Sequence, residues 1–273
     1  MGMDKLLLVA GVFLGAWGLR TFAHPFPRRL GLLLLLLGTY LAGWLGFGSH
    51  VAGAVAVAGW LFLPWIEILG RVRHLRLPLD KTLKSAFAPS AERFPQLSEL
   101  TSEIEAEGFV PVDDASFEWE ESQQFMRLFH HPEEKCQAAI CLLEQGPTSV
   151  GWISISARTA DERTLTTWNY PFSGTMKTPP ETRVLIVLDA GSFGQLLDAH
   201  REFLTEHSLE TEDLTAPDPE HLVDLIQRET RRQVDHNLDQ GLIRLSGQGT
   251  FRYSWRGYFF LWRQFLRDLV RLS

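Results

Sequence analysis

The chain has 273 residues, of which 45% are apolar and 22% charged, so neither an intrinsically disordered chain nor a small disulfide-dense fold is expected. Its charges are unevenly distributed: residues 1–80 carry seven Lys/Arg against three Asp/Glu, residues 81–240 carry thirteen against twenty-nine, and residues 241–273 carry six against one. Because the acidic middle would repel phosphate, nucleic-acid binding is excluded as an expected function, and the basic, apolar ends favour a lipid bilayer as partner.

Three apolar runs near the amino terminus predict three membrane-spanning helices, at about residues 6–22, 30–47 and 51–69. A helix over the third run would be roughly 28 Å long, close to the hydrocarbon thickness of a bilayer. The first run has only fourteen residues before Arg20, so it spans a bilayer only if Lys5 and Arg20 extend towards the two interfaces. A cleaved signal peptide, processed near Thr21-Phe22-Ala23, is the alternative interpretation of this run.

The arginines around these runs predict the orientation of the chain. They lie at one end of the hairpin formed by the second and third runs, at Arg20, Arg28, Arg29, Arg71, Arg73 and Arg76. The connection Gly48-Ser49-His50 at the other end has none. Because Lys and Arg concentrate in cytoplasmic loops, the hairpin tip is predicted outside and the chain from about residue 71 inside. The sequence therefore predicts a multi-pass protein of the plasma (inner) membrane with an external amino terminus and a cytoplasmic soluble domain.

Small residues in the first and third runs favour close packing between helices. Gly11 and Gly15 form a G-x-x-x-G pair in the first run. The third run is rich in small residues, namely Gly53, Ala54, Ala58 and Gly59. These patterns predict helix contacts within the membrane region or self-association through it.

A soluble α+β domain is predicted over residues 96–249, after a proline-containing linker at residues 77–95. Short runs of β-branched and aromatic residues from Phe109 to Tyr170 predict an antiparallel meander. The nearly continuous apolar run Arg183–Asp189 predicts a further strand covered on both faces, and two amphipathic helices follow it. Strands first and helices after favour an α+β fold with its helices on one face of a mainly antiparallel sheet.

The carboxyl-terminal segment, residues 250–273, predicts an amphipathic helix. Five arginines fall within one arc of about 100° at the helical rotation of 100° per residue, and aromatic and leucine side chains occupy the opposite side. This composition is typical of a helix lying in a membrane interface. The candidate interface residues are Arg252, Trp255, Arg256, Trp262, Arg263, Arg267 and Arg271. The alternative is a terminal helix packed on the protein's own sheet, with its arginines facing the acidic domain.

The segment from Tyr170 to Thr182 is a loop longer than the predicted architecture requires. It carries Tyr170, Phe172 and Met176, and its aromatic side chains are expected to be exposed. Loops of this length are often functional or mobile. These three residues are therefore the candidate binding site for a protein partner.

The nearest approach to a catalytic motif is Ala190-Gly191-Ser192-Phe193-Gly194, placed between a strand and a helix like a nucleophile elbow. Candidate partners follow in the order acid, then histidine: Asp213, Asp218 or Asp224, and His221 or His236. An elbow of that type needs a parallel sheet, whereas an antiparallel meander is predicted here. Gln195 follows Ser192 by three positions, which gives the S-x-x-Q pattern of a capping box. We therefore expect Ser192 to cap a helix.

Histidine and cysteine spacing predicts no metal site, and no motif for cofactor binding is present. His200 and His207 share a helix face but lie roughly 10 Å apart, too far to hold one ion together, and His200 is expected to be a core residue. His130-His131 is predicted to lie in a turn. Cys136 and Cys141 would point to opposite faces of one strand, so they cannot pair with each other.

These observations favour a membrane-anchored, non-enzymatic protein whose cytoplasmic α+β domain binds a protein partner or scaffolds a membrane complex. The alternative is a membrane-bound serine hydrolase that uses Ser192 with a downstream histidine. Two unpaired cysteines are consistent with a reducing compartment.

Overall fold

The structure is a computed structural model that describes residues 2–22, 24–247 and 249–271. The chain divides into two compact units: unit 1 comprises residues 1–75 and 253–273, and unit 2 comprises residues 76–252. The chain therefore leaves unit 1 once and returns to it once. Ala23, in the proposed processing site, and Leu272 and Ser273, at the end of the predicted terminal helix, lie outside the described residues.

Unit 1 is helical. Its helices are α1 (Met3–Arg20), α2 (Pro25–Phe47), α3 (His50–Gly70) with a following 3₁₀ turn (Val72–His74), and α7 (Trp255–Arg271). Among the described residues, α2 and α3 are the two helices long and apolar enough to cross a membrane. Helix α1 does not join them because Asp4, Lys5 and Arg20 leave only fourteen uncharged residues between them. The structure therefore supports two of the three predicted spans.

Helices α2 and α3 form a tight hairpin. Gly48 ends α2 in the left-handed conformation (φ 66°), and the Ser49 side chain accepts a hydrogen bond from the Val51 amide to begin α3. A Cβ atom on Gly53 would lie 2.7 Å from the carbonyl oxygen of Tyr40, so only glycine permits this approach of the two helices. Gly53 thus makes the close contact that the sequence predicts, whereas Gly11 and Gly59 have no neighbour within 4 Å of such an atom.

Unit 2 is built on a seven-stranded sheet in which the strands follow chain order. The strands are β2 (Lys84–Ser85), β3 (Val110–Trp119), β4 (Ser122–His131), β5 (Cys136–Gln145), β6 (Thr148–Arg158), β7 (Thr164–Trp168) and β8 (Thr182–Ile186). All neighbours are antiparallel except β7 and β8, which are parallel. The predicted antiparallel meander is confirmed.

Helices cover both faces of this sheet, not one as the order of elements predicted. Helices α4 (Leu97–Ala106) and α5 (Phe193–Glu206) pack against Ile140, Ile153 and Ile155 on one face. Helix α6 (Leu222–Asp239) packs on the other face, where Leu222 joins a cluster with Leu128 and Cys141. The reason lies in β5, whose first seven residues are all buried because successive side chains point to opposite, covered faces.

Strand β8 differs from its prediction. The apolar run Arg183–Asp189 was expected to be a strand covered on both faces, but β8 ends at Ile186, lies at the edge of the sheet and is mostly half-buried. A run of apolar residues does not show whether a strand is central or at an edge. Because β8 is parallel to β7, the chain must cross over between them, and residues 169–181 make that crossover.

The two ends of unit 2 are paired with each other. Strands β1 (Leu77–Pro78), β10 (Thr250–Tyr253) and β9 (Ile243–Gly247) form a small second sheet in the order β1-β10-β9. Leu77 lies opposite Phe251, and Pro78 lies opposite Thr250. The segment 77–95, predicted to be a linker, instead supplies two strands, β1 and β2, and a buried core residue, Leu83, because apolar residues between its prolines are buried against the domain.

The amino-terminal part of the predicted 250–273 helix is also strand. Phe251 and Tyr253 alternate with Arg252 and are buried in β10, a pattern that suits a strand. Helix α7 begins at Trp255, and the Ser254 side chain accepts a hydrogen bond from the Gly257 amide (3.2 Å). Arg252 therefore lies in β10 and not on the helix.

Candidate functional site

Helix α7 packs against α3 within unit 1. The indole N–H of Trp262 donates a hydrogen bond to the carbonyl oxygen of Leu61 (2.6 Å). The Trp65 ring meets the Phe259 ring edge-on, with centroids 5.1 Å apart. Since later residues of α7 contact earlier residues of α3, the two helices run in opposite directions along this contact.

The contact lies beside Pro64, which stands inside α3. Proline has no N–H, so Pro64 removes one hydrogen bond from the helical ladder. Leu61 belongs to the preceding turn, and its carbonyl is the acceptor for Trp262. A polar side chain of α7 is thereby bound to the main chain of a helix that is apolar enough to cross a membrane.

Three arginines of α7 are exposed and form no ion pair with a described carboxylate: Arg256, Arg263 and Arg267. The remaining arginine of the helix, Arg271, lies 3.8 Å from Asp268. Exposed aromatic side chains stand near them, with Trp255 64% exposed and Phe259 58% exposed. Of the predicted interface residues, the structure thus places all except Arg252 on one helix.

Seven of the twelve arginines of unit 2 form ion pairs with aspartate or glutamate, namely Arg93, Arg127, Arg158, Arg163, Arg201, Arg231 and Arg232. Arg158 is the most enclosed of these, and it holds Glu229 with two hydrogen bonds of 2.6 and 2.7 Å. The acidic excess of unit 2 is therefore partly neutralised by its own arginines.

The crossover loop carries a row of aromatic rings. Tyr170 lies 4.9 Å from Trp152 and 5.6 Å from Phe172, measured between ring centroids, and 6.1 Å from Trp168. Phe172 is 39% exposed, whereas Tyr170 and Met176 are half-buried. The structure brings two of the three predicted residues together, because the rings of Tyr170 and Phe172 are in contact.

A buried asparagine fixes this loop to α6. Asn237 is 0% exposed; its side-chain amide donates to the carbonyl of Lys177 (2.7 Å), and its side-chain oxygen accepts from the Lys177 amide (2.9 Å). The same amide donates to the Gln233 carbonyl within α6 (2.8 Å). Sequence reasoning missed Asn237, although its position three residues after the buried Val234 places a polar side chain on the core-facing side of the helix.

Ser192 caps α5, as the sequence predicts. Its Oγ accepts a hydrogen bond from the Gln195 amide (3.3 Å), and the Gln195 side chain accepts one from the Gly191 amide (2.8 Å). Helix α5 and Ser192 lie on one side of the sheet, whereas α6, which begins after His221 and contains His236, packs on the other. The structure therefore does not bring Ser192 together with either candidate histidine.

His200 lies in the core of unit 2, and His131 lies at the end of a strand. The Nδ1 atom of His200 lies 2.9 Å from the Thr167 hydroxyl, and burial lowers the pKa of His200 to about 4. His131 ends strand β4 and accepts a hydrogen bond from the Glu134 amide (3.0 Å), so the predicted turn begins one residue after the His130-His131 pair. Among the described residues, no three His, Cys, Asp or Glu side chains cluster closely enough to hold a metal ion.

The two cysteines are unpaired and lie on opposite faces of β5, as predicted. Cys136 belongs to the cluster beneath α4 and α5, and Cys141 to the cluster beneath α6. Burial raises the pKa of each thiol to about 12. Both groups are therefore protonated and unreactive in the folded chain at neutral pH.

Lys81 is a half-buried cation that sequence reasoning did not single out because it lies in the predicted linker. Its ammonium group donates to the Gln124 side chain and lies 5.0 Å above the Phe117 ring, and burial lowers its pKa. The neighbouring open cavity of about 590 Å³ runs along one side of α6. Its wall includes the ion pair between Arg231 and Asp80.

Comparisons of the chain with protein-family models, with curated proteins and with solved structures find no match. The class of the protein therefore rests on its own fold. It is an α+β protein with a mostly antiparallel sheet and a helical unit that contains two helices long and apolar enough to cross a membrane.

Proposed function

We propose that the chain is a non-enzymatic, multi-pass protein of the plasma (inner) membrane whose unit 2 lies in the cytoplasm and binds a protein partner. The membrane assignment is supported by α2 and α3, which expose large apolar side chains in unit 1. On α3, exposed apolar residues point in several directions around the helix: Leu61, Phe62, Leu63 and Ile66. Such a helix is stable in hydrocarbon and not in water.

The cytoplasmic assignment of unit 2 is supported by the positions of the arginines. Arg28 and Arg29 lie in the first turns of α2, and Arg71 and Arg73 follow α3, so all four are at the open end of the hairpin. The hairpin tip at Gly48-Ser49 has no basic residue. By the positive-inside rule, the open end and the chain that continues from it lie in the cytoplasm.

The observation that carries the partner-binding proposal is the fixed aromatic row of the crossover loop. Phe172 is exposed at the end of a row formed with Tyr170 and Trp152, and Asn237 holds the main chain of the same loop. Aromatic side chains are enriched at the centres of protein interfaces. A loop that is already ordered loses little conformational entropy on binding, so it suits recognition of an apolar side chain on a partner.

The test is site-specific photo-crosslinking in the full-length protein in its native membrane. A photoreactive phenylalanine analogue at position 172 is compared with the same analogue at position 87, where the native phenylalanine is 99% exposed and outside the loop. We expect a defined adduct from position 172 alone, and we expect Tyr170→Ala to abolish it. Equal adducts from both positions, or none from position 172, would contradict the proposal.

The alternative proposal, a membrane-bound serine hydrolase using Ser192, has a separate test. The full-length protein is treated with a serine-reactive fluorophosphonate probe, and Ser192→Ala is compared with Ser192→Asn, which keeps a capping oxygen. The non-enzymatic proposal expects no Ser192-dependent labelling. Labelling that both substitutions abolish would establish the hydrolase instead.

A further inference from the structure

We propose that β8 is the interface of a two-fold dimer, in which it pairs in antiparallel orientation with β8 of a second copy of this chain. This interface lies at the edge of the seven-stranded sheet. It involves neither the helices of unit 1 nor the aromatic row of the crossover loop. It therefore goes beyond the proposed function and does not depend on it.

The main chain of β8 has one paired side and one unpaired side. On the paired side, the Val187 amide donates a hydrogen bond to the carbonyl oxygen of Trp168 in β7 (2.9 Å). In a parallel ladder every second residue turns its N–H and C=O groups towards the neighbouring strand, so the intervening residues, Val184 and Ile186, turn theirs away from the sheet. Among the described residues, no group forms a hydrogen bond with the main chain of Val184 or Ile186.

This edge lacks the features that protect exposed strand edges. Charged side chains, proline and very short strands keep an edge from pairing with another chain. The opposite edge of the same sheet has such protection, because β2 has only two residues and begins with Lys84. In β8 only Arg183 is charged, and the unbroken apolar run Val184–Leu188 follows it. An apolar edge with free main-chain groups is a template for a further strand.

A second copy of β8 fits the unpaired groups of this edge. When two copies are related by a two-fold axis at Leu185, Val184 of each copy lies opposite Ile186 of the other. Each of these two pairs exchanges two N–H···O=C hydrogen bonds, so the four bonds use all the outward main-chain groups of both residues. Self-complementary pairing about a two-fold axis is the commonest arrangement of identical subunits.

The side chains of two such strands are compatible on both faces of the joined sheet. Leu185 packs on the cluster beneath α5, and Val184 and Ile186 point to the opposite face. All three are half-buried, so part of each apolar side chain is available to a second strand. In the dimer Leu185 meets its own counterpart, and Val184 meets Ile186. Arg183 lies opposite Val187 of the other copy, so like charges do not meet across the strand pair.

Disulfide crosslinking of the purified full-length protein in mild detergent tests this register. Leu185 and its counterpart form a non-hydrogen-bonded pair with Cα atoms about 4.5 Å apart, so Leu185→Cys should give a covalent dimer on mild oxidation. Val184→Cys is the matched control, because its two copies would lie more than about 8 Å apart. The native cysteines are buried and should not react. Equal crosslinking of the two variants, or none from folded Leu185→Cys, would overturn the proposal.

Sedimentation in the same detergent measures the mass of the assembly and does not depend on the cysteine variants. We expect the wild-type chain to form a dimer whose fraction rises with concentration. Val184→Pro removes an N–H group that no bond inside the chain uses, so it preserves the ladder with β7 and removes two hydrogen bonds from the dimer. The dissociation constant of the dimer is therefore expected to rise by about tenfold or more.

A lysine variant covers the case in which the proline variant fails to fold. Ile186→Lys places a charge on the edge, which natural edge strands tolerate and which prevents pairing. Its matched control is Leu245→Lys in β9, where the native leucine is 63% exposed. We expect Ile186→Lys to be monomeric and Leu245→Lys to remain dimeric. A monomeric wild-type chain, or a dimer that Ile186→Lys leaves unchanged, would overturn the proposal.

Discussion

Asn237 and Lys177 exchange two hydrogen bonds, one in each direction, between a buried side-chain amide on α6 and the main chain of the crossover loop. We expect Asn237→Ala to lower the free energy of unfolding by about 1–3 kcal/mol, because it removes the partners of the Lys177 N–H and C=O groups, whose hydrogen bonds to Asn237 are partly buried. Thermal unfolding of the full-length protein in mild detergent measures the loss, and limited proteolysis measures opening of the loop.

The control for this prediction is Gln240→Ala, which alters an exposed side chain at the end of the same helix. This variant is expected to stay within about 0.5 kcal/mol of wild type. If Asn237→Ala leaves both stability and cleavage in residues 170–182 unchanged, the amide does not order the loop, and the argument for a preorganised binding surface fails with it.

Replacing glycine by alanine is expected to have different effects on stability at two positions of α3, Gly53 and Gly59. A methyl group at Gly53 would lie 2.7 Å from the Tyr40 carbonyl, so Gly53→Ala should force α2 and α3 apart and cost about 1–3 kcal/mol. Gly59 has open space, so Gly59→Ala should be neutral or stabilise by up to about 1 kcal/mol through its higher helix propensity. Unfolding temperatures of the two variants in the same detergent provide the comparison; equal values would mean that the hairpin is not closely packed.

Because His200 is buried, the protein is expected to lose stability as the pH falls below about 6.5. Burial lowers its pKa from 6.5 to about 4 in the folded chain, so between these values the unfolded chain binds a proton that the folded chain does not. Stability contributed by the neutral imidazole is complete above pH 6.5 and is lost as pH falls towards 4, by on the order of 3 kcal/mol. His200→Gln keeps a hydrogen-bonding group for Thr167 and does not titrate, so its unfolding temperature should fall less over this pH range. Parallel curves for the two proteins would show that His200 does not carry this effect.

The buried cysteines allow a direct test of orientation. Because burial raises the pKa of Cys136 and Cys141 to about 12, a membrane-impermeant maleimide should leave the wild-type protein unlabelled until it is unfolded. Because the native cysteines are not labelled, a single introduced cysteine reports its own position. Ser49→Cys, at the hairpin tip, is expected to be labelled in intact cells, whereas Phe87→Cys, in unit 2, should be labelled only after the membrane is permeabilised. Labelling of Phe87→Cys in intact cells would reverse the proposed topology.

The parts of the fold that could be predicted are those in which the residue types follow a regular spacing along the sequence. The meander over β3–β7 follows from alternating side chains separated by short turns, and the capping role of Ser192 follows from the spacing to Gln195. The free, opposed cysteines follow from their odd separation on one strand. Each of these conclusions depends on neighbouring residues alone.

Features set by long-range contacts were not predictable in the same way. Leu83 lies among prolines that read as a linker, yet it is buried because residues from β3, β4 and β5 surround it in the completed domain. Phe251 looks like the start of an aromatic helix, but it pairs with Leu77, more than 170 residues earlier in the chain. Asn237 has its role only in the folded domain, where its side chain hydrogen-bonds the main chain of Lys177. The periodicity of a short segment does not show which residues, far away in the sequence, that segment will contact in the folded protein.

The ladder between β1 and β10 closes unit 2 on itself. Its first and last strands lie side by side, with Leu77 opposite Phe251, so the two chain ends of unit 2 are already close together. Ends that lie close together are typical of domains that can be inserted into another sequence or removed from it. Excision of residues 76–252, with a short bridge joining residues 75 and 253, is the natural way to ask whether α1, α2, α3 and α7 assemble by themselves.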